Sequence, residues 1–181
     1  MDRIQKIALS KIADVMAAGT LVIPEKDKWK KVFYNAGQSE LYDEFQHQLS
    51  EIRFEEHWQV HYENDPRTYS ALLEIIPILT DNSRDFVVFI NEYISKININ
   101  RVFKDDIERS LGKRGTRYFD IEDHIKRIGV QKSNELLNEL SSYSFKTLKN
   151  NLNILDFDIS ISEEFQLKIT PFSLLDKERK E

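Results

Sequence analysis

Cysteine is absent from the 181 residues, which removes disulfide frameworks, thiolate zinc sites, iron–sulfur ligation and cysteine nucleophiles together and suits a reducing compartment. Glycine and proline are scarce, at 5 and 4 residues, and no internal repeat is visible, so neither a disordered chain nor a solenoid is expected. No apolar run approaches the roughly 20 residues of a membrane span. The longest are Leu72 to Leu79, which contains Glu74 and Pro77, and Phe86 to Ile90. The opening Met1-Asp2-Arg3-Ile4-Gln5-Lys6 is charged, which argues against a signal peptide. A cytoplasmic location is the expectation, with no membrane partner.

The formal net charge of −5 opposes a surface built wholly for polyanions. The charge is unevenly placed, at about −5 over residues 1–100, about +3 over 101–132 and about −3 over 133–181, so only a short middle segment is locally basic.

What is present is mostly helical periodicity. Ile4, Ile7, Ala8, Ile12 and Val15 form one stripe ending before Gly19, and Trp29, Val32 and Phe33 form a brief second one stopped by Asn35-Ala36-Gly37. Ser39 precedes Leu41, Phe45, Leu49 and Ile52, a helix that Ser39 would cap. Tyr69, Leu72, Leu73 and Ile76 follow, interrupted at Pro77, and Ser83 caps a stretch holding Phe86, Phe89, Ile90, Tyr93, Ile94 and Ile97. Val102, Phe103, Ile107 and Leu111 continue the helical period up to Gly112-Lys113-Arg114-Gly115. Three short helices are expected beyond it, broken at Gly129 and at Ser141 to Ser144.

Residues 54–63 satisfy both periods. Trp58, Val60 and Tyr62 alternate with His57, Gln59 and His61, yet Phe54, Trp58 and Tyr62 also fit a helix, and Asp65-Pro66 ends either version. The C-terminus is unambiguous: Leu155, Phe157, Ile159 and Ile161, then Phe165, Leu167 and Ile169, alternate with polar residues across Ser162-Glu163-Glu164, the pattern of a β-hairpin with one buried face. The expected fold is mainly α, a bundle of about eight helices with a C-terminal antiparallel β-hairpin. It divides into a helical lobe over 1–112, helices plus hairpin over 113–172, and a charged tail over 173–181.

Several constellations invite chemistry. His57 and His61 stand four apart, metal-ligand spacing on a helix, but on a strand they lie about 13 Å apart and cannot share one ion. No glutamate follows His57, so the helical zinc-protease motif lacks its general base. Asp156 and Asp158 with Glu163 and Glu164 are the polar face of a half-exposed strand before they are a cation site. No metal and no cofactor are expected. Arg109, Lys113, Arg114 and Arg117, with Gly112 and Gly115 among them, form a basic loop able to hold phosphate, although Ile107 stands where a P-loop requires glycine. Tyr118 and Phe119 follow directly, which joins stacking surface to charge as single-stranded nucleic-acid sites do.

Two resemblances follow from these residues. Arg117 and His124 enclose six residues, a spacing that resembles the HEPN superfamily of helical ribonucleases. That resemblance implies metal-independent RNA cleavage, with Arg117 stabilising the scissile phosphate and His124 moving protons for attack by the ribose 2′-hydroxyl. The stretch Tyr118 to Pro171, three short helices and then two strands, resembles a winged helix in its order of elements. It implies a third helix presenting Lys146, Lys149, Asn150 and Asn153 to a DNA groove.

With no convergent catalytic set in the linear sequence, the expected function is a non-enzymatic protein-interaction or regulatory module, standing alone or as the N-terminal domain of a larger protein. Its partner would be another protein or a further copy of the chain. The alternatives are nucleic-acid binding through Arg109, Lys113, Arg114, Arg117 and Tyr118, or through the winged-helix-like lobe, and ribonuclease action through Arg117 and His124.

Overall fold

The computed structural model describes residues 1–23, 25–103 and 120–174. Its first helix, α1 (Arg3–Ala18), opens on a capping box. Asp2 accepts from the Gln5 amide while the Gln5 side chain accepts from the Asp2 amide, which satisfies two first-turn donors. Gly19 ends it at φ 67°, a left-handed conformation that glycine adopts without strain. The stripe buries Ala8, Leu9, Ile12, Ala13, Val15 and Met16, but Ile4 and Ile7 remain exposed because the first two turns overhang the core.

Next come α2 (Lys28–Asn35), α3 (Ser39–Phe45), the strand pair β1 (Glu51–Glu56) and β2 (Gln59–Asn64), α4 (Thr68–Thr80), α5 (Ser83–Ile94) and the single turn α6 (Ile99–Val102). The helix expected from Ser39 to Ile52 is shorter than its apolar spacing suggests. Gln38, not Ser39, occupies the cap position, and the chain leaves the helix after Phe45 so that Leu49 is buried and Ile52 enters a strand. Pro77 does not interrupt α4. It lies in the last turn, where burial of Ile75, Ile76 and Leu79 on either side outweighs one missing amide. Likewise Asn82, not Ser83, caps α5 by accepting from the Arg84 amide.

Of the helix expected through Val102 and Leu111, α6 forms the start, and Phe103 is already extended and bridged to Ser141. Ile107 and Leu111 lie outside the described residues. The chain is next described from Asp120, whose side chain caps α7 (Ile121–Ile128) by accepting from Glu122 and Asp123. Then follow α8 (Val130–Leu140), α9 (Tyr143–Ile154, capped by Ser142), β3 (Phe157–Ile161) and β4 (Leu167–Pro171).

Among the described residues there are thus nine helices and two antiparallel hairpins, a mainly α fold with a C-terminal hairpin. No described helix is long and apolar enough to cross a membrane. The stretch that fitted both periods is the β1–β2 hairpin.

One hydrophobic core runs through all of this. α1 packs between α4 and α9, and α5 packs on both α4 and β4. Phe86 of α5 meets Phe157 of β3 at 5.2 Å between ring centroids, and the Ile169 amide donates to Asn91 Oδ1 at 2.9 Å. The C-terminal hairpin buries Phe157, Ile159, Ile161 and Ile169 as its alternation requires. Asn134 of α8 both donates to the Ile161 carbonyl and accepts from its amide, which seals the edge of β3 against α8. The β1–β2 hairpin differs. Most of its residues are exposed, and only its root reaches the core.

Candidate functional site

The root of this hairpin is tied down by Asn64. Its Oδ1 accepts from Lys28 Nζ at 2.8 Å and from Trp29 Nε1 at 2.9 Å, while its Nδ2 donates to the Ala17 carbonyl at 2.7 Å. One side chain therefore joins β2 to the start of α2 and the end of α1. Opposite Asn64 in register stands Glu51, whose side chain is only 6% exposed and whose oxygens have no hydrogen-bond partner among the described residues. Lys28 Nζ stands 3.9 Å from it, itself 1% exposed and 5.2 Å from the Trp29 ring. Trp29 in turn stacks on Tyr93 at 6.0 Å.

Burial dominates the electrostatics of this root. Desolvation pushes the Glu51 carboxyl up to about 7, against the opposing pull of Lys28 and with further upward pressure from Asp27 and Glu25. Desolvation also lowers Lys28, only partly countered by Glu51 and Glu25, and raises the buried Tyr93 hydroxyl. Asp65, just beyond β2, is the contrast. Its hydrogen bonds from Arg67, which also pairs with it at 3.0 Å, hold it down at about 2. A cavity of about 240 Å³ beside the root is lined by residues including Trp29, Tyr42, Leu49, Ser50, Glu51 and Tyr62.

The tip is built on strain. Glu56 pairs with Gln59, leaving the two-residue turn His57-Trp58 at φ 46° and 68°. Positive φ at both central positions is the type I′ geometry that matches strand twist, and asparagine or glycine normally supplies it. A non-glycine residue there costs about 1–2 kcal/mol. Trp58 accepts that cost and is wholly solvent-exposed, with Phe54 and Val60 exposed beside it. Glu55 and Glu56 flank the tip and are themselves exposed. A tryptophan held in water on a strained turn is the most conspicuous surface feature among the described residues.

Arg109, Lys113, Arg114, Arg117 and Tyr118 lie outside the described residues. His124 sits half-buried on α7, where its amide donates to the Asp120 carbonyl. His57 occupies the turn and His61 the second strand, opposite Phe54. No cluster of three or more potential metal ligands occurs among the described residues.

On α9, Lys149 is directed inward. Its ammonium donates to Asp158 Oδ1 and to the Ile159 carbonyl, both at 2.7 Å, and Asn153 reaches the Lys149 carbonyl and Asp158. Two of the four residues expected on a DNA-facing surface are thus engaged with β3, and Asp158 is paired with a lysine. Sequence reasoning missed the root cluster, since a buried lysine at position 28 and an asparagine clamp at 64 carry no local signal. The alternation of Trp58, Val60 and Tyr62 with His57, Gln59 and His61 was the available clue to the arm.

No protein-family model, no curated protein and no solved structure matches this chain.

Proposed function

We propose that this protein is an interaction module that acts by binding another protein chain, with the β1–β2 hairpin as its recognition arm. The observation that carries this reading is Trp58, wholly exposed at the apex of a left-handed two-residue turn. Exposed tryptophan is costly to keep in water and is among the residues that anchor protein interfaces. The rigid root supports the reading, since an arm clamped by Asn64 to α1 and α2 loses little freedom when it docks. Glu55 and Glu56 beside the tip disfavour nucleic-acid phosphates as the target of this arm.

A photo-crosslinking amino acid in place of Trp58, with the same replacement at exposed Tyr143 of α9 as control, tests the reading in the producing cell. The expected result is a discrete protein adduct from position 58 and none from 143. No adduct at 58, or equal labelling at both positions, would overturn it.

A further inference from the structure

Resting on that reading of the arm, we propose that the partner it fits is a second copy of this chain, joined through β1 edge to β1 edge about a two-fold axis at Phe54. Among the described residues, the outer edge of β1 is unused. The β1–β2 sheet has two strands, and among the described residues no backbone hydrogen bond joins β1 to anything but β2. The Asp65 amide donates to the Ser50 carbonyl at 2.9 Å. Because bonding direction alternates along an antiparallel strand, Ser50, Ile52, Phe54 and Glu56 direct their backbone groups at β2. Glu51, Arg53 and Glu55 direct theirs outward. A row of unpaired amides and carbonyls is a template for another strand.

The side chains then choose the strand and the register. With the axis at Phe54, Arg53 of each copy stands opposite Glu55 of the other, and the outward backbone groups of these same residues meet as hydrogen-bonded pairs. Phe54 packs against Phe54. Arg53 and Glu55 share one face of β1 and already form an ion pair within the strand, so two copies place alternating charges in one network. Opposite charges directly across an antiparallel pair are favourable, and like charges are not.

Other registers fail, most of them on the same rule. An axis at Arg53 or at Glu55 sets like charges face to face, one at Glu56 opposes two glutamates, and one at Ile52 requires Glu51, which is buried against Lys28. The other edge, β2, offers only Gln59, Val60, His61, Tyr62, Glu63 and Asn64, with no lysine or arginine to pair, and Asn64 is committed to the root. Such self-complementarity about one axis is the property of an isologous interface.

The register also gives Trp58 somewhere to go. Continuing the pairing beyond Glu56 carries the turn toward Ser50 of the other copy, and Ser50 lines the cavity beside Trp29, Tyr42, Leu49 and Tyr62. Each exposed tip thereby reaches an aromatic-lined hollow at the opposite root, which accounts for a tryptophan retained on a strained turn.

The test uses the full chain and charge reversal. Sedimentation velocity across a micromolar-to-millimolar concentration series should show a monomer–dimer equilibrium for the wild type. R53E and E55R should each weaken self-association by roughly tenfold or more, since each sets like charges across the axis twice. Mixed in equal amounts, the two variants should form a heterodimer, because R53E then meets E55R with both cross-strand pairs attractive. Backbone amide spectra of each variant report whether the hairpin is retained.

A wild type that stays monomeric throughout overturns the proposal. So does a dimer indifferent to both charge reversals, or failure of the folded variants to associate when mixed. A monomer that still gives a foreign adduct from position 58 leaves the recognition arm standing and removes only the self-pairing.

Discussion

Asn64 and Glu51 decide how the arm is held. Replacing Asn64 by alanine strands two buried donors, Lys28 Nζ and Trp29 Nε1, and each unsatisfied group costs about 1–3 kcal/mol. Asn64→Ala should therefore lose roughly 2–4 kcal/mol in urea denaturation, while an exposed neighbour such as His61 should tolerate alanine with little change. Glu51 makes stability depend on pH. Its folded carboxyl is raised from the ordinary 4.5 to about 7, so the folded state holds a proton that the unfolded chain has released. That contribution is complete below pH 4.5 and is lost as pH rises through 7. The denaturation midpoint of the wild type should fall between pH 6 and pH 8 on this account, with Lys28, Asp27 and Glu25 the charged groups around the carboxyl. In Glu51→Gln the fall over that window should be smaller, and identical slopes in the two proteins would show that Glu51 does not titrate there.

At the scale of the element, the β1–β2 turn separates stability from function. Substituting His57-Trp58 by Asn-Gly supplies residues that accept positive φ and should raise stability by about 1–2 kcal/mol. The same change deletes the exposed indole and should abolish crosslinking or self-association through the arm. A more stable protein that binds less well is the signature of a strained functional element. If binding survived the exchange, the indole would have no part in it. α4 shows the opposite balance, since its Pro77 breaks a local rule and is tolerated because the neighbouring isoleucines and Leu79 are buried.

At the scale of the molecule, one hydrophobic cluster among the described residues joins the N-terminal helices to the C-terminal elements. α1 packs on α9, and buried side chains from Leu9 through Ile169 belong to one cluster. Leu148 of α9 is fully buried in it, and Leu148→Ala should cost about 2–5 kcal/mol. The loss should be felt by both halves of the chain. In a Trp58→Phe background, fluorescence of Trp29, buried near the N-terminal end of the core, and far-UV circular dichroism should then report one coincident urea transition. Two separated transitions would mean that the shared core does not couple the halves.

The sequence by itself determined the mainly helical class and the C-terminal hairpin, because helical stripes such as Ala8, Ile12 and Val15 and the alternation of Phe157, Ile159 and Ile161 state which face each element buries. Single-element periodicity does not say how far a stripe is covered. It could not distinguish exposed Ile4 and Ile7 from buried Ile12, nor choose between helix and strand at residues 54–63, where an exposed arm has little burial pattern to read. The basic-loop residues singled out for chemistry, Arg109 to Tyr118, fall outside the described residues, and what the structure offers in their place was not legible in advance. Lys28, Glu51, Asn64 and Tyr93 come from separate elements that meet only when α1, α2 and α5 close on the hairpin root. Tertiary packing alone made Lys28 a buried cation, raised Glu51 toward neutrality and left Trp58 in solvent, because burial is a property of the assembled fold.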